Sequence, residues 1–164
     1  MNVVLCGMMG VGKSTVGKKL QWLSGKTCVD TDLLIVQKHG QISDIFEKYG
    51  EEYFRNLETH TVQSLAKRDN LIISTGGGLV LREQNVSLLK EKGKIFFLRA
   101  SLQTLLSRVT VNAARPLLSS GAEQKLRSLL PVRTPVYERV ADYIIDTDER
   151  TVDDIAREIL SYLE

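Results

Sequence analysis

Cysteine, histidine, proline and tryptophan are scarce in this sequence. Its 164 residues include 2 cysteines, 2 histidines, 3 prolines and 1 tryptophan. Cys6 and Cys28 form neither a C-x-x-C pair nor a metal-ligand pattern, which argues against a zinc site and a disulfide framework. Both lie in apolar segments, and we expect them to be small buried side chains. His39 and His60 lie on predicted helices among charged residues, where a capping or exposed role is expected.

The sequence also lacks long apolar runs and blocks of like charge. The formal net charge is +2, and no basic stretch is interleaved with aromatic residues, so we expect no nucleic-acid partner. No apolar run approaches the roughly 18 residues that span a membrane, and the first residues lack the features of a signal peptide. With 43% hydrophobic and 26% charged residues, the composition is that of an ordinary globular protein. We therefore expect a single cytoplasmic domain over residues 1–164, monomeric and without a membrane partner.

A phosphate-binding motif stands near the start of the chain. Residues 7–15 read G-M-M-G-V-G-K-S-T, which matches the pattern G-x-x-x-x-G-K-[ST] between an apolar strand-like run and a helical pattern. The glycines let successive N–H groups point inward, and the helix N-terminus adds a partial positive charge. Lys13 can reach the β- and γ-phosphates, and the Ser14 hydroxyl can ligate Mg²⁺. The motif predicts a site for a nucleoside triphosphate and Mg²⁺, built from Gly10, Val11, Gly12, Lys13, Ser14 and Thr15.

Apolar runs of strand length alternate with helical periods along the chain, which predicts an α/β fold with a parallel sheet. The predicted strands cover residues 3–6, 27–29, 71–74, 95–98 and 143–145. The predicted helices cover residues 13–23, 33–39, 43–49, 51–68, 82–92, 102–109, 122–130 with a continuation past Pro131 and Pro135 to 141, and 155–163. Ser43 and Ser101 are expected to cap helices, and residues 151–154 form a capping box.

Residues 110–121 break this alternation. They show no clean period and contain Arg115-Pro116 and a closing Ser-Ser-Gly. Loops of about a dozen residues in a compact domain are often lids or binding loops. An arginine in a lid, such as Arg115, is expected where phosphoryl charge is neutralised, and Arg133 is a second candidate anion-binding residue. From the residues alone, solvent-exposed arginines remain the simpler interpretation of both.

Two carboxylates, Asp30 and Asp32, follow the second predicted strand. In a parallel sheet the carboxyl ends of the strands share one edge, which here carries the phosphate-binding motif. One carboxylate could hold Mg²⁺ directly or through water, and the other could accept a proton from an attacking hydroxyl. The alternative is helix capping, which Asp32 could provide for the helix that begins near Leu33.

Two further motifs point to a ligand at the same edge. Arg55 and Glu58 are spaced to pair on one helix face, so that Glu58 either orients Arg55 toward an anion or forms an ordinary surface ion pair. Gly76, Gly77 and Gly78 follow the third predicted strand. Glycines at a strand end favour close approach of the backbone to a ligand, or a tight turn.

Taken in order, these motifs resemble those of the shikimate kinase family over nearly the whole chain. The matching segments are the phosphate-binding loop, D-T-D at 30–32, I-S-D-I-F at 42–46, G-E at 50–51, F-R-N-L-E at 54–58, T-G-G-G at 75–78, R-P-L-L at 115–118 and R-T-P-V-Y at 133–137. The shorter motifs are weak singly, but their order and spacing are specific. Cys28 is a departure, because the family often has an aromatic residue there, and it affects packing behind the site more than chemistry.

The resemblance implies the P-loop fold of the nucleoside monophosphate kinases. It implies a parallel sheet of five strands in the order 2-3-1-4-5 flanked by helices, with a substrate-binding segment over about residues 30–60 and a lid over about residues 110–121. It also implies transfer of the γ-phosphate of ATP to the 3-hydroxyl of shikimate, with Mg²⁺, in the route to chorismate.

The resemblance further assigns the acceptor site. Asp32, Arg55, Gly77 and Arg133 would hold shikimate. The two arginines would take its carboxylate, and Asp32 would bind its hydroxyls and act as the base. The walls of the pocket would be Ile42, Phe46 and Phe54.

On the nucleotide side, the resemblance assigns Lys13 and Arg115 to neutralising the transferring phosphoryl group. Ser14 and, through water, Asp30 would hold Mg²⁺. Arg108 would lie against adenine, opposite the turn that precedes the last helix.

Three other functions are weighed against this one. Among kinases of the same fold, a nucleotide kinase would need a second phosphate site and a base site, and a gluconate kinase is not expected to carry this arginine set. A regulatory GTPase would show an Asn-Lys-x-Asp motif, which the sequence lacks. A non-catalytic ATP-binding paralogue is the third alternative, and the intact Lys13, Asp32 and Arg115 argue against it.

Overall fold

The strands form a parallel sheet in the order β2-β3-β1-β4-β5. This computed structural model describes residues 1–111 and 121–164, without the side chains of residues 109–111. The strands are β1 (Asn2–Cys6), β2 (Thr27–Asp30), β3 (Leu71–Ser74), β4 (Gly93–Arg99) and β5 (Tyr143–Asp146). The α/β class and the strand order expected from the family resemblance are therefore confirmed.

Helices connect the strands in the pattern that parallel pairing requires. They are α1 (Lys13–Ser24), α2 (Thr31–His39), α3 (Ile42–Tyr49), α4 (Glu51–Leu65), α5 (Glu83–Lys92), α6 (Leu102–Val111), α7 (Ala122–Val140) and α8 (Val152–Ser161). A short 3-10 helix covers Leu79–Leu81. Among residues 1–111 and 121–164, no helix has the length and apolar character needed to cross a membrane.

The central strand β1 is buried at every position, from Asn2 to Cys6. A strand covered on both faces is expected to be continuously apolar, which explains the run Val3-Val4-Leu5-Cys6. This strand belongs to the main core of the protein, to which every strand but β2 contributes fully buried side chains. The phosphate-binding loop thus follows a strand that is buried along its whole length.

A second, smaller cluster of buried side chains lies apart from the main core. It consists of Ile35, Ile45, Phe54 and Leu57, with Ile42 packed against it. These residues come from α2, α3 and α4, which make up the predicted substrate-binding segment. Helix α4 contributes to both cores, because Val62 and Leu65 near its C-terminus belong to the main one.

The strand register places the functional motifs side by side. Within the sheet, Ser74 at the end of β3 pairs with Leu5 of β1 on one side and with Asp30 of β2 on the other. The glycines that follow β3 therefore lie between the phosphate-binding loop, which follows β1, and the carboxylates that follow β2.

Most predicted helix boundaries agree with the structure. Two of the capping predictions are confirmed and one is wrong. The Ser101 hydroxyl accepts a hydrogen bond from the Thr104 N–H, and that of Thr151 accepts one from the Asp154 N–H, as expected. The Ser43 prediction is wrong, because α3 begins at Ile42 and its N-cap is Gln41, which makes no side-chain capping bond. The helix that follows Gly40 therefore begins one residue before the serine.

Helix α7 continues through both of its prolines rather than pausing at them. Pro131 and Pro135 lie at exposed positions, and each removes one hydrogen bond from the helix. Helix α4 ends at Leu65, three residues before the predicted end at Arg68. The predicted loop over residues 110–121, with Arg115, lies outside the described residues except at its ends.

Candidate active site

The phosphate-binding loop runs from the end of β1 to the start of α1. Gly10 and Gly12 have φ angles of 79° and 106°, in the left-handed region that favours glycine. Gly12 is also the N-cap of α1 and provides no side-chain cap. The N–H groups in the first turn of α1 are therefore open to an anion, which the helix dipole would favour.

Lys13 lies within this loop. Its ammonium group donates to the carbonyl oxygens of Gly7 at 2.6 Å and Met8 at 3.1 Å. Desolvation lowers the pKa of Lys13 to about 8, and the neighbouring carboxylates of Asp32 and Asp30 oppose that shift. Burial disfavours the charged form of Lys13, and a buried ammonium group beside open N–H groups fits a phosphate-binding role.

Asp30 connects the loop to the neighbouring strand. Its Oδ2 accepts a hydrogen bond of 3.1 Å from the Ser14 hydroxyl, and its Oδ1 accepts one of 3.1 Å from the Leu33 N–H. Asp30 is therefore the N-cap of α2, and the capping role considered for Asp32 is wrong. The helix begins at Thr31, which places Asp32 inside its first turn and leaves its carboxylate for other contacts.

The donor set at Ser14 and Asp30 fits Mg²⁺. A hydroxyl and a carboxylate oxygen lie within hydrogen-bond distance of one another, and both are ligand types that Mg²⁺ takes. The described residues contain no group of three or more His, Cys, Asp or Glu that could hold a metal ion. A small protein donor set is typical of Mg²⁺ bound together with nucleotide phosphates, because the ion retains several water molecules.

The Asp32 carboxylate has a perturbed pKa. Burial raises the pKa of Asp32, and the charge of Asp30 raises it further, whereas Lys13 and Arg55 act in the opposite direction. A carboxylate with a raised pKa is a better proton acceptor than an exposed one. The structure thus gives the two aspartates different environments, two residues apart.

Arg55 is held by carboxylates on its own helix. Glu58 accepts a hydrogen bond of 2.7 Å from Arg55 Nη1, and Glu51 one of 3.1 Å from Nη2. The side chain of Glu58 is only 1% exposed, against 65% for Glu51. Burial raises the pKa of Glu58, although the Arg55 guanidinium opposes this. The pair is therefore an enclosed one, and the surface ion pair considered from the sequence is excluded.

Each glycine of the triplet makes room for one predicted ligand-binding side chain. A Cβ atom on Gly76 would lie 2.6 Å from Asp32 Oδ1, and one on Gly77 would lie 2.9 Å from Arg133 Nη1. A Cβ atom on Gly78 would overlap the Arg55 guanidinium. Gly78 has an ordinary φ of −97°, so space explains this glycine better than turn geometry. The triplet gathers Asp32, Arg133 and Arg55 around one stretch of backbone.

Tyr137 was not singled out as a site residue from the sequence, yet it lies in the same cluster. It is fully buried, and its hydroxyl donates to the Gly77 carbonyl at 2.6 Å. Tyr137 follows Arg133 by four residues, one turn along α7. That spacing, on the strand-facing side of a predicted helix, is the sequence signal that could have found it.

The remaining predicted residues fall on either side of this cluster. Arg108 donates to the Val11 carbonyl at 2.6 Å and to the Thr147 carbonyl at 3.5 Å, so it joins the phosphate-binding loop to the turn before α8. On the other side, the rings of Phe46 and Phe54 are 5.0 Å apart, and the Arg55 guanidinium lies over the Phe54 ring. Arg115 lies outside the described residues.

Comparison with known proteins gives a consistent result. A family model described as shikimate kinase matches residues 9–164. The shikimate kinase of Caldanaerobacter subterraneus subsp. tengcongensis is 41% identical over 97% of this chain and 94% of its own length. That of Geobacter sulfurreducens is 43% identical over 99% of this chain and 90% of its own length.

Solved structures agree with the sequence relatives. The shikimate kinase from Acinetobacter baumannii in complex with shikimate has a TM-score of 0.88 and 40% identity, covering 99% of this chain and 92% of its own. A gluconokinase from Sinorhizobium meliloti has a TM-score of 0.68 at 19% identity over 99% of this chain and 90% of its own, which shows a shared fold only. The match of the family model to nearly the whole chain, together with relatives above 40% identity, shows that the chain belongs to the shikimate kinase family.

Proposed function

We propose that this protein transfers the γ-phosphoryl group of ATP to the 3-hydroxyl of shikimate. The observation that carries the proposal is the convergence of Asp32, Arg55 and Arg133 on the glycine triplet, beside the phosphate-binding loop. Two guanidinium groups suit a carboxylate, and a carboxylate suits hydroxyl groups. A small hydroxylated acid is the ligand that this combination would recognise, and the structure of the Acinetobacter baumannii relative with shikimate bound supports the same choice.

In the acceptor half, Arg55 and Arg133 would bind the carboxylate of shikimate. Gly77 would contribute its backbone, and Asp32 would bind the hydroxyl groups. In the reaction, the bond from the γ-phosphorus to the β,γ-bridging oxygen breaks and a bond to the 3-hydroxyl oxygen forms. Asp32 would accept the hydroxyl proton, for which its raised pKa is suited. Such transfers depend mainly on positioning and on charge neutralisation.

In the nucleotide half, Gly10, Val11, Gly12 and Thr15 would offer backbone N–H groups to the phosphates. Lys13 would exchange its two carbonyl partners for β- and γ-phosphate oxygens. Arg108 would lie against adenine, and Arg115 would add positive charge from the lid. The phosphate contacts of the loop and of Lys13 follow from helix N-terminal anion binding and preorganised positive charge. The roles of Arg108 and Arg115 are those that the family resemblance implies.

Ser14 and Asp30 would hold Mg²⁺, Asp30 through a water molecule. When bound, the ion supplies charge neutralisation between the β- and γ-phosphates. We propose a monomeric enzyme, because the proposed site needs no residue from a second copy, and a cytoplasmic location, where ATP is available. Light scattering on the purified protein measures the oligomeric state directly.

The test is an ADP-release assay with shikimate, quinate, gluconate and nucleoside monophosphates as acceptors. We expect turnover with shikimate, and NMR of the product should show phosphate on the 3-position. The Lys13→Ala variant should lose on the order of a hundredfold or more in kcat, since preorganised charge at the transition state is worth several kcal/mol. Better turnover with gluconate or a nucleotide would overturn the proposal, and no turnover with any acceptor would favour a non-catalytic ATP-binding protein.

A further inference from the structure

We propose that Tyr137 is a positioning residue, whose hydroxyl fixes the Arg133 guanidinium and the Gly77 backbone relative to one another. The inference rests on the proposed function, because it takes these two groups as part of the acceptor site. It assigns a role to Tyr137, the last residue of the R-T-P-V-Y segment. The mechanism above does not use this tyrosine.

The hydroxyl of Tyr137 lies where Gly77 and Arg133 meet. It donates a hydrogen bond of 2.6 Å to the Gly77 carbonyl. The Arg133 guanidinium lies near the same hydroxyl. The hydroxyl is therefore bonded to the backbone that lies beside a proposed carboxylate ligand.

The tyrosine is held firmly enough to act as a fixed point. It is fully buried, and its ring packs on Phe97 of β4 with centroids 5.1 Å apart. Its oxygen also lies 3.8 Å from Met8 Sδ in the phosphate-binding loop. Burial raises the pKa of Tyr137 to about 12, so the hydroxyl keeps its proton throughout the working range. The residue thus joins α7, the glycine triplet and the loop.

Gly77 and Arg133 depend on this fixed point for their mutual position. A Cβ atom on Gly77 would lie 2.9 Å from Arg133 Nη1 and 3.6 Å from the Tyr137 hydroxyl. The guanidinium therefore rests directly against the glycine, with the hydroxyl beside both. Without the hydroxyl, the Gly77 carbonyl loses its buried donor, and the backbone against which the guanidinium rests is no longer fixed.

The test is the Tyr137→Phe variant, which keeps the ring but removes the hydroxyl. We expect the KM for shikimate to rise about tenfold, since a buried carbonyl group left without its donor costs about 1–3 kcal/mol. The KM for ATP should stay within about twofold, since Lys13 and the loop N–H groups are unaltered. The matched control is Tyr143→Phe, whose ring packs on Phe96 at the same centroid distance of 5.1 Å but away from the site.

Two results would overturn the inference. One is an unchanged KM for shikimate in Tyr137→Phe, and the other is an equal rise in both KM values, which a merely structural role would produce. A crystal structure of the ligand-free variant gives a readout that does not depend on the substrate, because Arg133 and the Gly77 peptide should be displaced. Unmoved groups would refute the positioning role. Failure of the wild type to use shikimate would instead refute the proposed function.

Discussion

Gly76 and Asp32 are in direct contact, although they are 44 positions apart in the sequence. A Cβ atom on Gly76 would lie 2.6 Å from Asp32 Oδ1, which is shorter than real Cβ contacts, and 3.2 Å from Oδ2, which is tight. The carboxylate therefore occupies the space that any other residue at position 76 would fill. The backbone at this position is itself fixed, since the Gly76 N–H donates to the Thr31 hydroxyl at 2.9 Å.

Substitution of Gly76 by alanine should displace the proposed base without unfolding the protein. The group that must move is the end of a side chain, so we expect the loss of stability to stay near the ~1 kcal/mol average for single substitutions. The kcat should fall by about tenfold or more, because general base catalysis depends on position. The check is a double-mutant cycle with Asp32→Asn. Additive losses in kcat would show that Gly76 does not act through Asp32.

The two carboxylates that bind Arg55 should contribute unequally. Glu58 is buried and Glu51 is exposed, and exposed ion pairs are worth at most about 1 kcal/mol. Glu58→Gln should therefore raise the KM for shikimate by about tenfold, as a charge-assisted bond that orients Arg55 is lost. Glu51→Gln, the matched control on the same arginine, should change it less than about twofold. Equal effects in steady-state assays would contradict the inequality.

The lowered pKa of Lys13 predicts an alkaline limit to ATP capture. Because the pKa is about 8 rather than 10.5, the free enzyme loses this charge as the pH rises through 8, and kcat/KM for ATP should decline there. The kcat should decline only at higher pH, since bound phosphates favour the charged form. A flat kcat/KM profile up to pH 9 would contradict the prediction.

The lowered pKa of Lys13 also makes the free energy of unfolding depend on pH. The unfolded chain binds more protons than the folded one between the folded pKa of about 8 and the ordinary value of 10.5. The contribution of Lys13 to the free energy of unfolding therefore rises with pH across that window. The Lys13→Ala variant should lack this contribution, which denaturant titrations at pH 7.5 and 10 can measure.

Asp30 should show a defect that Mg²⁺ repairs. The residue has two tasks in the structure, capping α2 and bonding to Ser14, and asparagine can cap as well as aspartate. Asp30→Asn should thus keep the helix but weaken the metal site, so that its kcat recovers as Mg²⁺ is raised. Asp30→Ala, which loses the cap as well, should also be less stable by about 1 kcal/mol.

A Mg²⁺ titration of both aspartate variants separates the proposed roles. Asp32→Asn removes the proton acceptor, so its kcat should remain low at every Mg²⁺ concentration. Rescue of Asp32→Asn, with no rescue of Asp30→Asn, would mean that the two roles are reversed.

The sequence was sufficient to predict what local patterns encode. The loop from Gly7 to Thr15 is defined by glycine and lysine spacing, and the strands by apolar runs between turn residues. The strand order came from the family resemblance, because it depends on pairings between residues 44 to 91 positions apart that no local pattern contains. The capping of α8 by Thr151 was predictable, since donor and acceptor lie three residues apart.

The remaining features depend on tertiary contacts. The glycine triplet suggested backbone approach or a turn, whereas its neighbours are side chains from α2, α4 and α7, which only the folded chain brings together. Asp30 caps α2 in place of Asp32 because the helix begins two residues earlier than predicted. Residue propensities do not locate a helix start that accurately. The buried state of Glu58 likewise depends on what covers α4, and nothing in its own helix determines it.

The division of the apolar side chains into two clusters has a consequence for the way the chain opens. Arg55 lies on α4 between Phe54 and Leu57 of the small cluster, while the C-terminal turns of the same helix are anchored in the main core. Release of α2, α3 and the first half of α4 exposes only a handful of apolar side chains, so it requires far less free energy than global unfolding. Arg55, a proposed substrate ligand, thus lies in the part of α4 that packs in the small cluster, whereas the other end of the helix packs in the main core. Mutations in the small cluster should therefore weaken binding of the proposed substrate, shikimate, before they unfold the protein.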